Sequence, residues 1–231
     1  MNTQKPEKLS LDKSGNVEVH SIFPTIQGEG IFAGEPATFV RLTGCNLRCP
    51  GCDTEYTSKR TKLSPSEVLR IVNTHTAPNK LVVITGGEPF RQHLDHLTTI
   101  LVEAGYRVQF ETNGTLPITF DKDLMRTGKV FIMCSPKTGR IHEDLEPYVS
   151  AYKYVINYLH VNPLDGLPSR VLDLKAIPAR PPAEYDKTIY VQPMDSKDES
   201  VNHKHLKATM ESCLKHGYQL CLQLHKIINV E

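Results

Sequence analysis

Short apolar runs alternate with amphipathic stretches along most of this chain. Residues 37–42, Ala-Thr-Phe-Val-Arg-Leu, read as a strand. Leu81-Val82-Val83-Ile84 is an uninterrupted apolar run, the pattern of a strand buried on both faces of a parallel sheet. Further strand patterns fall at 107–110, 130–133, 152–156, 188–191 and 218–222. Ser64-Pro65-Ser66-Glu67 reads as a helix start, with Ser64 as N-cap, Pro65 in the first turn and Glu67 closing a capping box. Val68, Leu69, Ile71 and Val72 supply its buried stripe. A second helix carries Leu94, Leu97, Ile100, Leu101 and Ala104 at helical spacing and stops at Gly105. A third runs from about 199 to 215, ahead of Gly217, and the Pro-rich stretch 178–182 reads as a surface loop. Strands alternating with helices predict an α/β fold.

Polar residues collect where these strands end. After 37–42 come Thr43, Gly44 and Cys45; after 81–84, Thr85-Gly86-Gly87-Glu88-Pro89; after 107–110, Glu111-Thr112-Asn113-Gly114. Cys134-Ser135-Pro136-Lys137, Gln192-Pro193-Met194-Asp195 and Gln223-Leu224-His225-Lys226 follow the later strands. A parallel sheet or barrel gathers its active site at the carboxyl ends of its strands. One polar turn would be ordinary, but six in succession argue for a shared site.

Composition narrows the class. With 231 residues and 39% hydrophobic content, one domain over 17–231 is expected, preceded by a polar lead, 1–16, expected to be flexible. The net charge of +1 and the interspersed acids and bases give no nucleic-acid or membrane footprint. No window reaches the roughly 18 apolar residues of a membrane span, and the lead lacks the apolar core of a signal peptide. A cytoplasmic location is expected.

Cys45, Cys49 and Cys52 form C-x3-C-x2-C inside eight residues. Three thiolates on one short loop can hold three irons of a 4Fe–4S cube and leave the fourth iron open to a small molecule, whereas electron-transfer clusters take four cysteines. A zinc site or a disulfide is the alternative, although neither favours this spacing. Cys134, Cys213 and Cys221 form no second close pair.

The cysteine loop followed by Gly86-Gly87-Glu88-Pro89 resembles the radical S-adenosylmethionine (SAM) superfamily. Within it, Thr25-Ile26-Gln27-Gly28-Glu29-Gly30, Arg41, Cys52-Asp53-Thr54, Thr85, Glu111-Thr112-Asn113-Gly114, Ser135-Pro136-Lys137, Gln192-Pro193-Met194-Asp195 and the closing Gln223-Leu224-His225-Lys226 resemble the 7-carboxy-7-deazaguanine synthase family over nearly the whole chain. The resemblance implies a partial, modified (β/α) barrel with its active site at the C-terminal ends of the parallel strands. It also implies a radical SAM carbon–nitrogen lyase that converts 6-carboxy-5,6,7,8-tetrahydropterin to 7-carboxy-7-deazaguanine with loss of ammonia, on the route to queuosine and other 7-deazapurines. A 4Fe–4S cluster, SAM and Mg2+ are the implied cofactors. A pterin substrate, an electron donor of flavodoxin or ferredoxin type and a second copy of the chain in a homodimer are the implied partners.

Site residues carry over by the same resemblance. Cys45, Cys49 and Cys52 hold the cluster and Thr54 the Mg2+. Gly51, Asp53, Gly87, Ser135, Pro136, Lys137, Gln192, Pro193, Met194 and Asp195 meet SAM. Ile26, Gln27, Gly28, Glu29, Arg41, Thr85, His225 and Glu231 meet the substrate, with Arg41 gripping its carboxylate bidentately. Leu224 and Ile227 depart from the family pattern, which has threonine at the first position and commonly an aromatic at the second. A glycyl-radical activase would share the cysteine and glycine motifs but not the pterin-side ones. A plain iron–sulfur carrier would leave Gly86-Gly87-Glu88-Pro89 without a role.

Overall fold

The apolar runs pair into a single sheet in the computed structural model, which describes residues 4–10, 12, 14–75, 78, 80–172 and 176–230. Its elements are β1 (Val17–Ile26), β2 (Pro36–Leu42), β3 (Thr61–Leu63), α1 (Pro65–Thr74), β4 (Leu81–Gly86), α2 (Asp95–Glu103), β5 (Arg107–Thr112), β6 (Val130–Cys134), β7 (Ala151–Ile156), β8 (Ile189–Pro193), α3 (Glu199–His216), β9 (Gln219–Leu220) and α4 (Leu224–Ile227). Among the described residues nine strands take the order β3-β1-β2-β4-β5-β6-β7-β8-β9. From β2 to β9 every pairing is parallel, while β1 runs antiparallel to β2 and to β3 at one edge. The sheet does not close, so the fold is a partial barrel. No described helix is long and apolar enough to cross a membrane.

The strands at 37–42, 81–84, 107–110, 130–133, 152–156 and 188–191 and the three helices form where their patterns predict. The capping box of α1 is complete: the Ser64 hydroxyl accepts from the Glu67 amide at 3.3 Å, and the Glu67 carboxylate accepts from the Ser64 amide at 2.8 Å. Between the sheet and α1 and α2 lies the main core, where Phe90, Phe110 and Phe120 stack with ring centroids 5.0–6.0 Å apart.

Three features depart from the sequence pattern. The strand β1 forms although it contains Pro24. β3 pairs only with its first residues, Val17 to Val19, so Pro24 faces no ladder on that side. Short 3-10 turns, not helices, connect β5 to β6, β6 to β7 and β7 to β8. β9 keeps only two of the five residues expected, because the chain leaves the sheet to carry Gln223 back across the strand ends. Its last residues then wind into α4.

Candidate active site

A cavity of about 500 Å³ opens at the carboxyl ends of the parallel strands. Cys45, Cys49, Gly51, Cys52, Asp53 and Thr54 line it from the loop after β2, and Thr85 and Gly87 from β4. Ser135 and Lys137 line it from β6, Gln192, Pro193, Met194 and Asp195 from β8, and His225 from α4. Ile26, Gln27, Glu29 and Arg41 complete the wall from β1, the turn after it and β2. Arg41 and Thr85 are direct partners in the parallel ladder, so they present side chains to the same face.

At the cysteine end the backbone carries the organisation. Gly87 lies flat on the loop: a Cβ there would collide with the Gly44 carbonyl and stand 2.9 Å from the Cys45 amide nitrogen, which excludes any side chain. The buried Glu88 carboxylate accepts from the Asn113 amide at 2.7 Å, the Thr112 hydroxyl at 2.8 Å and the Phe90 amide at 3.1 Å. Burial pushes this acid up to about 7 against those three bonds. Asn113 in turn donates to Asn46 at 3.0 Å and approaches Cys45 Sγ at 4.0 Å. Burial raises the Cys45 thiol to about 12 and also raises Cys49, where Lys137 opposes it.

Among the described residues no three His, Cys, Asp or Glu side chains converge closely enough to hold one ion. Cys45, Cys49 and Cys52 all line one cavity. A structural zinc draws its thiolates to about 2.3 Å, whereas a cube takes one thiolate per iron and spreads its ligands. The donor set, three thiols on one short loop with no fourth cysteine among the described residues of the cavity lining, fits an iron–sulfur cluster, whose positive irons would hold the thiols as thiolates.

The opposite end is built from charge. Lys153, buried on β7, forms ion pairs with Glu29 and, at 3.2 Å, with Glu111. Gln223 donates to Glu29 at 2.8 Å, and Gln109 and Gln27 donate to Glu111 at 2.6 and 3.4 Å. Burial drives Glu29 upward, but the charge and hydrogen bond of Lys153 outweigh it and leave this acid at about 2. Burial and the Glu29 charge raise Glu111 against Lys153. Lys153 lies closer to Glu29, so a proton entering this trio goes to Glu111.

The turn after β1 and the C-terminal motif meet over this charged group. Leu224 donates its amide to the Gly28 carbonyl at 3.1 Å, and a Cβ on Gly28 would strike the His225 ring and stand 2.9 Å from its amide nitrogen. Burial lowers the His225 pKa, with Glu29 opposing. Lys226 bridges Asp53 at 3.2 Å and Asp195 at 3.0 Å, tying the C-terminal motif to the cysteine loop and to β8.

Of the residues singled out in sequence, nineteen line the cavity. Gly28 stands behind His225, Pro136 follows Ser135 outside the lining, and Glu231 lies outside the described residues, next to Val230, which does line the cavity. Sequence reasoning missed Lys153, Phe39, Tyr56 and Leu172. Lys153 had a visible signal, a lone lysine inside the apolar run Ala151-Tyr152-Lys153-Tyr154-Val155-Ile156. Such a charge is buried only with partners.

An open parallel sheet with three thiols and a glycine turn at its carboxyl ends defines a radical SAM protein, and residues 39–155 match the model of the Radical SAM superfamily. The chain is 38% identical to the 7-carboxy-7-deazaguanine synthase of Rickettsia prowazekii (strain Madrid E), covering 98% of this chain and 94% of that one. It is 37% identical to the enzyme of the same name from Rhodospirillum rubrum, covering 92% of each. The crystal structure of QueE from Escherichia coli superposes with a TM-score of 0.68 at 24% identity, over 90% of this chain and 94% of that one, a likeness of fold. This chain belongs to the 7-carboxy-7-deazaguanine synthase family.

Proposed function

We propose that this enzyme converts 6-carboxy-5,6,7,8-tetrahydropterin to 7-carboxy-7-deazaguanine with loss of ammonia. The observation that carries the reading is that one cavity joins the three cysteines and Gly87 to Gln27, Arg41, Thr85 and His225. A cluster site and a site for a flat, carboxylated heterocycle thus share one enclosure.

Cys45, Cys49 and Cys52 hold the cluster. Gly87 admits the methionine end of SAM, and Gly51, Asp53, Ser135, Pro136, Lys137 and Gln192, Pro193, Met194 and Asp195 border the remainder. When bound, the cluster with SAM supplies an adenosyl radical able to take hydrogen from the substrate. The chain's own residues bind and orient. Arg41 grips the carboxylate through a planar fork. Gln27 and Thr85 meet the ring edge, and Ile26 and the Gly28 backbone border it. Glu29 and His225 are held by Lys153 and Gly28 at the far wall, and the family resemblance assigns Glu231, next in sequence to Val230, to the substrate as well. Thr54, beside Asp53, offers a hard hydroxyl oxygen to a Mg2+ that shares the substrate's oxygens. A cytoplasmic location, a flavodoxin- or ferredoxin-type donor and a homodimer complete the proposal.

An anaerobic assay with reconstituted protein, SAM, Mg2+ and the pterin tests it. 5′-Deoxyadenosine and 7-carboxy-7-deazaguanine are expected together. Cleavage of SAM with the pterin left intact would remove the substrate assignment and leave the superfamily standing.

A further inference from the structure

The loop that bears the first cysteine belongs to no helix or strand, yet three successive carbonyls in it are all engaged. Arg91, only 4% exposed, lies beneath Gly44: a Cβ at Gly44 would stand 2.5 Å from its Nε and 2.7 Å from its Cζ, and Gly44 also has a φ of +78°. Arg91 Nη2 donates to the Thr43 carbonyl at 3.2 Å, and Gln92 Nε2 donates to the same oxygen at 3.3 Å. The Gly44 carbonyl accepts from the Glu88 amide at 2.9 Å. The Cys45 carbonyl accepts from outside the motif altogether, from the Glu7 amide at 2.8 Å.

The Glu7 side chain then turns back to Arg91 at 3.2 Å, and the Ser10 amide donates to the Arg91 carbonyl at 2.7 Å. Glu18 takes the other arm of the guanidinium at 2.8 Å, and Arg60 bridges Glu7 and Glu18 on the outer side. Two carboxylates and two guanidiniums therefore balance, as a nearly buried arginine requires. Glu7 and Ser10 are thus tied to the back of the cysteine loop.

We propose that Arg91 and Glu7 are positioning residues that fix Thr43, Gly44 and Cys45 from behind, so that the N-terminal segment braces the seat of the cluster. The proposal rests on the cysteine loop being that seat. A ligand-bearing loop must hold its geometry within about 0.5 Å, and a loop without secondary structure does so only through such bonds. Neither Arg91 nor Glu7 lines the cavity; they act through the backbone of residues 43–45.

Glu7→Pro in the full chain is the decisive variant, because it deletes the amide donor to Cys45 and the carboxylate to Arg91 at a position outside every helix and strand. Glu7→Gln keeps the amide donor, and exposed Lys8→Ala serves as control. Three readouts are taken: amide hydrogen exchange of residues 43–52 in the metal-free protein, iron release to a chelator from the reconstituted protein, and the EPR spectrum of its reduced cluster. In Glu7→Pro, loop exchange and iron release should each rise about fivefold, the factor carried by one hydrogen bond of ordinary net strength. The EPR spectrum should change while the thermal midpoint falls by only a few degrees, about what one hydrogen bond is worth in a domain of this size. Glu7→Gln should fall between Glu7→Pro and wild type, Lys8→Ala should match wild type, and Arg91→Lys, which loses the fork, should move in the same direction as Glu7→Pro.

Wild-type exchange and iron release in Glu7→Pro would overturn the proposal, and this arm decides even where Arg91→Lys does not fold. A wild-type protein that takes up no iron would strike the cluster reading instead, while the exchange measurement still judges the brace.

Discussion

The two ends of the cavity are made by opposite means. At the cysteine end the backbone is gripped and the functional side chains are left uncommitted: the Thr43, Gly44 and Cys45 carbonyls are all hydrogen-bonded, while burial keeps the Cys45 and Cys49 thiols protonated. At the carboxylate end the side chains grip one another, with Lys153 shared by Glu29 and Glu111 and three glutamines completing the network. At one end the order resides in the backbone. The other is held together by its own ion pairs and hydrogen bonds, and its stability depends on its members being present. A cavity can therefore carry a weakly stabilising half and a strongly stabilising half within one wall.

The sharpest way to break this contrast is to remove one group from each end. Lys153→Met leaves two buried carboxylates without their cation and should lower the unfolding free energy by about 3–5 kcal/mol. Cys49→Ala, in metal-free protein, should cost about 1 kcal/mol or less, although it abolishes cluster assembly. Urea unfolding of both metal-free variants measures the difference. Equal losses would show that the two ends do not differ in kind.

That contrast also explains what was legible in the sequence. The cysteine loop, Gly86-Gly87-Glu88-Pro89 and the strand-end positions of Arg41 and Thr85 are local patterns, read from spacing and alternation alone. The ion-pair network is not local. Glu29 and Lys153 are 124 residues apart, and Gln223 and Glu29 are 194 apart. The sheet order sets β7 five strands from β1, so no local pattern reports that the turn after β1 reaches Lys153. The capping box of α1 was readable because its bonds span three residues. The missing crossover helices and the early end of β9 were not, because the path of the chain over the strand ends decides them.

Acid unfolding probes the charged end more gently. Glu29 lies at about 2 in the folded protein against an ordinary value of 4.5, so its contribution to stability is complete above pH 4.5 and fades as the pH falls toward 2. Glu29→Gln should flatten that limb by at most about 1.4 kcal/mol per pH unit, the slope of a single proton. The flattening should be partial. Glu111, no longer raised by the Glu29 charge, keeps Lys153 and takes over some of the acid sensitivity. Stability measured by urea at steps across this window gives the slopes, and superimposable slopes would mean that Glu29 is not held by Lys153.

Arg41 belongs to neither regime and offers the finest test. It stands in β2 in register with Thr85, and the Phe23 ring lies 4.9 Å from its guanidinium carbon. This stacking helps to hold the plane of the fork. If Arg41 grips the substrate carboxylate, Arg41→Ala should weaken pterin binding by about 2 kcal/mol, the value of a charged hydrogen bond, or roughly thirtyfold. SAM affinity and metal-free stability should stay near wild type, since neither the thiol loop nor the Lys153 trio loses a partner. Anaerobic titration calorimetry of the reconstituted variant with each ligand reads both affinities. A pterin Kd within a factor of two of wild type would remove Arg41 from the substrate site. A parallel loss of SAM affinity would instead place it in the shared wall, where one cation serves both halves of the cavity.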